Sequence, residues 1–138
     1  MLIRRFQIED QFAVIELWRR CGLVRPQNDP VKDIQRKLRT QPECFLVGVE
    51  DGAIIASAMY SYDGHRGWVN YFGVDPDHQR AGHGKALMAE IERLVRPLGC
   101  PKINLQVRAT NAAAVEFYKR VGFASDDVMS MGKRLEFD

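Results

Sequence analysis

Between Val74 and Met88 the chain reads Val-Asp-Pro-Asp-His-Gln-Arg-Ala-Gly-His-Gly-Lys-Ala-Leu-Met, an apolar strand end that runs through a glycine-rich loop straight into a helix. Such a junction turns unpaired backbone N–H groups and the positive end of a helix dipole toward one point. Gly82 and Gly84 let a ligand approach the backbone closely. The chemistry on offer is therefore the binding of a phosphate or pyrophosphate. Two common versions of this loop do not fit. A Walker A loop requires glycine where Gln79 stands and a magnesium-binding hydroxyl where Ala86 stands. A dinucleotide fingerprint requires a third glycine at the position of Leu87, and a loop that follows an early strand of a parallel unit.

The pattern that does fit is Gln/Arg-x-x-Gly-x-Gly/Ala, present as Gln79-Arg80-Ala81-Gly82-His83-Gly84. Beyond a helix and a strand comes Asn111-Ala-Ala-Ala-Val-Glu-Phe-Tyr-Lys-Arg-Val-Gly-Phe123. Together, and in this order, the two segments resemble the coenzyme A pyrophosphate loop and the Asn-x-x-Ala…Tyr-x-x-x-Gly-Phe segment of the GNAT superfamily of N-acetyltransferases. Cys21–Leu38, Tyr62–Gly67 and Gly132–Leu135 look like the bacterial YpeA branch of that family.

The resemblance implies acetyl-CoA as cosubstrate, no metal, and direct transfer of the acetyl group to an amine in a ternary complex. It places the pyrophosphate on Gln79, Arg80, Ala81, Gly82, His83, Gly84 and Lys85, and the pantetheine arm against Phe72, Gly73, Val74 and Asn111. Gly73 suits a bulge in the fourth strand, or alternatively relieves crowding there. Asn111 also reads as a plain helix cap. Tyr118 lies in an apolar helix stripe, which by itself reads as core; the resemblance makes it the general acid for the departing thiolate.

Gln106 departs from the pattern, because several relatives carry a glutamate there as general base. Trp68, Val69, Asn70 and Tyr71 on the fourth strand supply no carboxylate either. A lysine-type amine is only about 1 part in 2,500 neutral at pH 7, against roughly 10–20% for an α-amine. A site without a strong base therefore tilts toward low-pKa amines. Arg25, Tyr62, Asp63 and His65, with Gln106, are the acceptor-side candidates, His65 or Asp63 serving as a proton relay; the plainer reading is an Asp-Gly turn with a solvated histidine. His78 and His83 read as loop surface. Two alternatives stay open: a non-catalytic acyl-CoA sensor, and an interaction module that reuses the fold.

The elements that must position these residues follow from periodicity. Leu2–Phe6 reads as a strand, Glu9–Cys21 as an amphipathic helix stopped by Gly22, and Asp29-Pro30 as the start of a second helix ending near Thr40. Cys44–Glu50 and Ala53–Tyr62 form a hairpin around Asp51-Gly52, and Trp68–Val74 adds a fourth strand. A helix from Gly82 to Pro97, a strand Lys102–Arg108, a helix Asn111–Val121 and one or two strands within Asp127–Phe137 complete the chain. The expected fold is α/β (α+β): a mixed, mostly antiparallel sheet, splayed between strands four and five as the resemblance implies, with about four flanking helices. Residues 1–138 form one domain.

The net charge of +2 comes from 20 basic and 18 acidic residues spread along the chain, so nothing marks a nucleic-acid or membrane partner. Cys21, Cys44 and Cys100 have neither zinc spacing nor an even count for a disulfide framework. With no signal-like or membrane-spanning segment, a cytoplasmic location is expected. An amine acceptor is the implied partner, and a homodimer is common in the family.

Overall fold

Asp51 and Gly52 both take positive φ, 51° and 77°, the turn whose twist matches a hairpin. The hairpin joins β2 (Phe45–Glu50) to β3 (Ala53–Tyr62). The computed structural model describes residues 1–138. It sets β1 (Leu2–Arg5), β2, β3, β4 (Gly67–Val74) and β5 (Ile103–Leu105) side by side in sequence order. The first three pairings are antiparallel and β4–β5 is parallel.

Both faces of the sheet are covered, which explains why β3 is buried on successive residues from Ile55 to Tyr60. One face packs against α1 (Gln11–Arg20) and α2 (Pro30–Thr40) through Val14, Trp18, Ile34, Phe45 and Met59. The other packs against α3 (His83–Val95) through Leu87, Met88 and Ile91, with α4 (Ala112–Arg120) beside it. No helix is long and apolar enough to cross a membrane. Asp29 caps α2 as its sequence suggests, its Oδ1 accepting the N–H of Val31 at 2.9 Å and of Lys32 at 3.3 Å, with Pro30 in the first turn.

The first helix begins later than its periodicity suggests, after a 3-10 turn over Ile8–Asp10. Asp10 is buried there, and both its oxygens take the Arg4 guanidinium, at 2.8 and 3.0 Å. The Arg4 hydrogen bonds, and then the Gln7 N–H, hold the Asp10 carboxyl below its ordinary value. Folding therefore favours the ionised form. The stabilisation is full above the unfolded pKa of about 3.9 and is lost as pH falls through the lower folded value. Asp10→Asn is expected to cost about 1–3 kcal/mol at pH 7. In urea unfolding the deficit should stay constant down to about pH 5 and close below about pH 4; a deficit that persists unchanged at pH 3 would refute the ion-pair account.

Two sequence expectations require correction. The fifth strand stops at Leu105, so Gln106–Arg108 leave the sheet and Val107 is exposed. The reason lies in β4, whose bulge carries it away from β5. The strands expected within Asp127–Phe137 do not form. Side-chain anchors hold this segment instead: Ser130 meets Gln106, Arg134 reaches Gln27 and Asn28, and Asp138 pairs with Arg36 at 2.8 Å and accepts the Asp29 N–H at 3.0 Å. They lead the chain from the end of β5 to α2, away from a strand edge.

Candidate active site

β4 and β5 pair over only three positions, Gly67 with Ile103, Trp68 with Asn104 and Val69 with Leu105. Beyond Val69 they part. On the other edge of β4, Met59 faces Asn70 and Ser57 faces Gly73, so Ala58 alone opposes both Tyr71 and Phe72. This is a β-bulge, which bends a strand and increases its twist. The residue that absorbs the bend is Tyr71, at φ 48°, and not Gly73. Two contacts hold Tyr71 in this left-handed conformation. Its ring stacks on Trp18 with centroids 3.9 Å apart, and its hydroxyl donates to Asp33 Oδ2 at 2.6 Å. Gly73 answers a packing demand instead: a Cβ there would stand 3.1 Å from both Cys21 Sγ and Leu23 Cδ1.

The splay leaves the edge of β4 from Asn70 to Val74 open onto a cleft of about 1550 Å³. The Asp75 N–H donates to Ile55 C=O at 2.7 Å, so by the alternation of an antiparallel ladder Val74 turns its N–H and C=O the other way, into the splay. The Val74 C=O there accepts from Gln79 Nε2 at 3.1 Å and from the Cys21 thiol at 3.3 Å. Burial pushes that thiol up to about 11.

At one end of the cleft stands the start of α3. Gly82, at φ 83°, precedes it without any side-chain cap. The first intrahelical bond runs from Ala86 N–H to Gly82 C=O at 3.0 Å, which leaves the N–H groups of His83, Gly84 and Lys85 without an intrahelical acceptor. The two glycines do different work. A Cβ on Gly82 would meet nothing within 4 Å, whereas one on Gly84 would stand 2.9 Å from the Phe117 ring. Gly82 shapes the loop, and Gly84 lets α4 close on α3. Arg80, Lys85, Arg108 and Arg120 add positive charge to the cleft lining. This set fits a pyrophosphate: uncapped N–H donors, an open glycine and flanking cations.

Of the residues singled out by sequence, Phe72, Gly73, Val74, Gln79, Arg80, Gly82, His83, Gly84, Lys85, Asn111 and Tyr118 line the cleft, as do Arg25 and Gln106. Ala81 does not. His83 is not loop surface: it opens α3, its side chain is 15% exposed, and Nε2 lies 3.6 Å from Glu50 Oε2. His78 also lines the cleft. Asn111 caps α4, its Oδ1 accepting the Ala114 N–H at 3.1 Å. Tyr118 packs edge-on against Phe72, Phe117 and Phe123, its hydroxyl makes no hydrogen bond within the protein, and burial pushes the phenol up to about 12.

The acceptor-side set separates. Tyr62, Asp63 and His65 lie outside the cleft lining. Asp63 is a turn residue, its Oδ1 accepting the N–H groups of His65 and Arg66 at 2.7 Å each, and the Tyr62 hydroxyl reaches Gly99 C=O at 3.4 Å. Sequence reasoning missed Asp33 and Tyr71. Only two carboxylates line the cleft, Asp33 and Glu116. Asp33 reads in sequence as an ordinary acid in the first turn of a helix, favourable to the dipole, and that reading hides it.

The comparisons with known proteins agree with this geometry. The model of the "Acetyltransferase (GNAT) family" matches residues 9–123. An acetyltransferase of Yersinia enterocolitica is 46% identical over 138 residues, covering 100% of this chain and 98% of the relative. One of Pectobacterium atrosepticum is 46% identical over 135 residues, covering 98% and 96%. Among solved structures, PaiA N-acetyltransferase from Thermoplasma acidophilum in complex with coenzyme A superposes with a TM-score of 0.81 at 21% identity, over 93% of this chain and 92% of that one. The ribosomal-protein-S18-alanine N-acetyltransferase from Escherichia coli gives 0.76 at 24%, over 91% and 78%. These two show the same fold. With a family match across most of its length and such close enterobacterial relatives, the chain belongs to the acetyltransferase (GNAT) family.

Proposed function

We propose that the protein is an acetyl-CoA-dependent N-acetyltransferase that moves an acetyl group to a primary amine by direct attack in a ternary complex. The observation that carries this reading is the open β4 edge, which runs from the bulge toward the uncapped start of α3. The N–H groups of His83, Gly84 and Lys85 hold the pyrophosphate, with Arg80 beside them. The backbone of Phe72–Val74 and Asn111 hold the pantetheine arm. A β4 N–H stabilises the oxyanion that forms on attack, a contribution of about 2.7–4 kcal/mol per donor in other enzymes. The segments Cys21–Leu38, Tyr62–Gly67 and Gly132–Leu135 support a place in the bacterial YpeA branch.

Tyr118 protonates the departing thiolate. A phenol raised to about 12 is a weak acid toward a thiol of ordinary pKa, about 8.5. Burial in the cleft disfavours a free thiolate as it disfavours a phenolate, so a thiol released there is raised in the same direction and the mismatch shrinks.

Isothermal titration with acetyl-CoA tests the reading. Wild type should bind at micromolar affinity. Gly82→Trp, which fills the open space over the loop, should weaken binding by roughly 100-fold or more, about 2.7 kcal/mol. The left-handed φ at Gly82 adds about 1–2 kcal/mol of strain, so circular dichroism must confirm the fold. Gly84 is unsuitable for this purpose, because its Cβ would strike Phe117. Absence of binding by folded wild type would overturn the reading in favour of an interaction module.

A further inference from the structure

Acyl transfer needs the neutral amine, and at pH 7 a strongly basic one must first lose a proton. Gln106 cannot take it, and no residue of β4 carries a carboxylate. We propose that Asp33 and Tyr71 act together as the base, the Tyr71 hydroxyl meeting the amine and Asp33 taking the proton. The proposal rests on the acetyltransferase reading above.

Placement carries the argument. Tyr71 is the bulge residue itself, beside the open edge Phe72–Val74. The two neighbours lean to opposite faces of the sheet: Tyr71 stacks on Trp18 of α1, whereas Phe72 packs against Phe117 and Tyr118 of α4. The Asp33–Tyr71 pair and Tyr118 thus flank one stretch of strand edge from opposite sides, and all three line the same cleft. An amine entering beside α2 and a thiolate leaving beside α4 would each meet the group it needs.

The pair is built for the task. Asp33 Oδ2 accepts the Tyr71 hydroxyl at 2.6 Å, and Oδ1 accepts Arg36 Nη1 at 3.0 Å. Arg36 is itself fixed by Asp138 at 2.8 Å and Glu136 at 3.2 Å. The other ionisable groups acting on Tyr71 are Asp138 and Asp29, the latter at the cap of α2. Lys37, one turn along α2, gives its ammonium to the Tyr60 C=O instead; α1 presents Trp18 here, and β4 presents only Tyr71. Burial, then the Asp33 hydrogen bond, holds the Tyr71 phenol above its ordinary value. Tyr71 therefore keeps its proton for Asp33 while its lone pairs stay available to an N–H donor. Removal from water acidifies an ammonium held beside the pair.

The protons balance. One ammonium proton passes to Tyr71 Oη as the Tyr71 proton passes to Asp33 Oδ2, and Asp33 releases it to solvent. The freed lone pair forms the C–N bond, the C–S bond breaks, and the sulfur takes the Tyr118 proton. The second nitrogen proton restores Tyr118. With a base present, strongly basic amines come within reach, against the tilt drawn from the sequence.

The test compares turnover at pH 7 across probe amines of rising basicity: hydroxylamine, glycinamide and ethanolamine. Asp33→Asn should lose roughly 100-fold with ethanolamine, and little with hydroxylamine, which is largely neutral at this pH. Tyr71→Phe keeps the ring on Trp18 and should show the same graded loss, with acetyl-CoA affinity unchanged in both variants. A deficit equal for all three probes, or none, would mark Asp33 as merely structural and overturn the proposal. So would wild type that binds acetyl-CoA yet acetylates none of them. Failure to bind acetyl-CoA at all would instead sink the underlying acetyltransferase reading.

Discussion

Tyr118→Phe is expected to lower kcat by about 10²- to 10³-fold while leaving acetyl-CoA affinity within a factor of about three. The phenyl ring that remains preserves the edge-on contacts with Phe72, Phe117 and Phe123, so the wall of the cleft keeps its shape. The substitution removes a hydroxyl that has no hydrogen bond inside the protein, so no buried partner is orphaned. On the proposed mechanism, what disappears is an interaction made only as the C–S bond breaks, and such a loss lowers kcat and kcat/KM together. Thiol release under saturating acetyl-CoA measures the first quantity, and titration calorimetry measures the affinity. Unchanged kcat would remove Tyr118 from the mechanism. A fall in affinity as large as the fall in rate would make it a binding residue and no acid.

Trp18→Ala should be the most damaging single change to stability, at about 3–5 kcal/mol. Trp18 is fully buried between Phe45 and Tyr71, with ring centroids 6.1 and 3.9 Å away. Its Nε1–H donates to Ser57 Oγ at 2.8 Å, and Ser57 is itself fully buried in the middle of β3. Truncation leaves a cavity and a hydroxyl without its donor, and the second loss alone is worth about 1–3 kcal/mol. Against a total stability of about 5–15 kcal/mol for a domain, this is a large share. Urea unfolding would report it directly; a cost below about 1.5 kcal/mol would refute the account. The ring also supports the left-handed Tyr71, so the variant should lose turnover beyond what its stability explains.

Local rules made much of the fold legible. Asp29-Pro30 announced a helix and Asp51-Gly52 a hairpin because each needs only its own backbone chemistry. The glycine loop was legible for the same reason: an uncapped helix start after a flexible residue is written in consecutive positions. What failed depended on distant partners. The alternation of Ile103, Leu105 and Val107 is genuine, yet a strand also needs a neighbour, and β4 turns away after Val69. Met129, Met131, Leu135 and Phe137 alternate too, but salt bridges and hydrogen bonds to α2 and its preceding loop decide where that segment lies. Gly73 drew attention as the bulge because glycine is the usual tolerant residue, whereas stacking and one hydrogen bond allow Tyr71 to fill that role. Asp33 could not be joined to Tyr71 from sequence, since only the packing of α2 under β4 brings them within 2.6 Å.

The three-residue β4–β5 ladder has a kinetic side. β2 to β4 form a meander of neighbours in sequence, whose contacts close short loops and assemble early. β5 must wait for α3 to be laid down and then gains only three paired positions. The segment from β5 through α4 is accordingly the part most ready to detach while the meander stays folded, a separate unit in amide exchange. Tyr118 rides on that segment and Tyr71 on the meander. A ligand that touches both is therefore a clasp between two units of unequal durability, and its binding energy appears as slower opening of the weaker one.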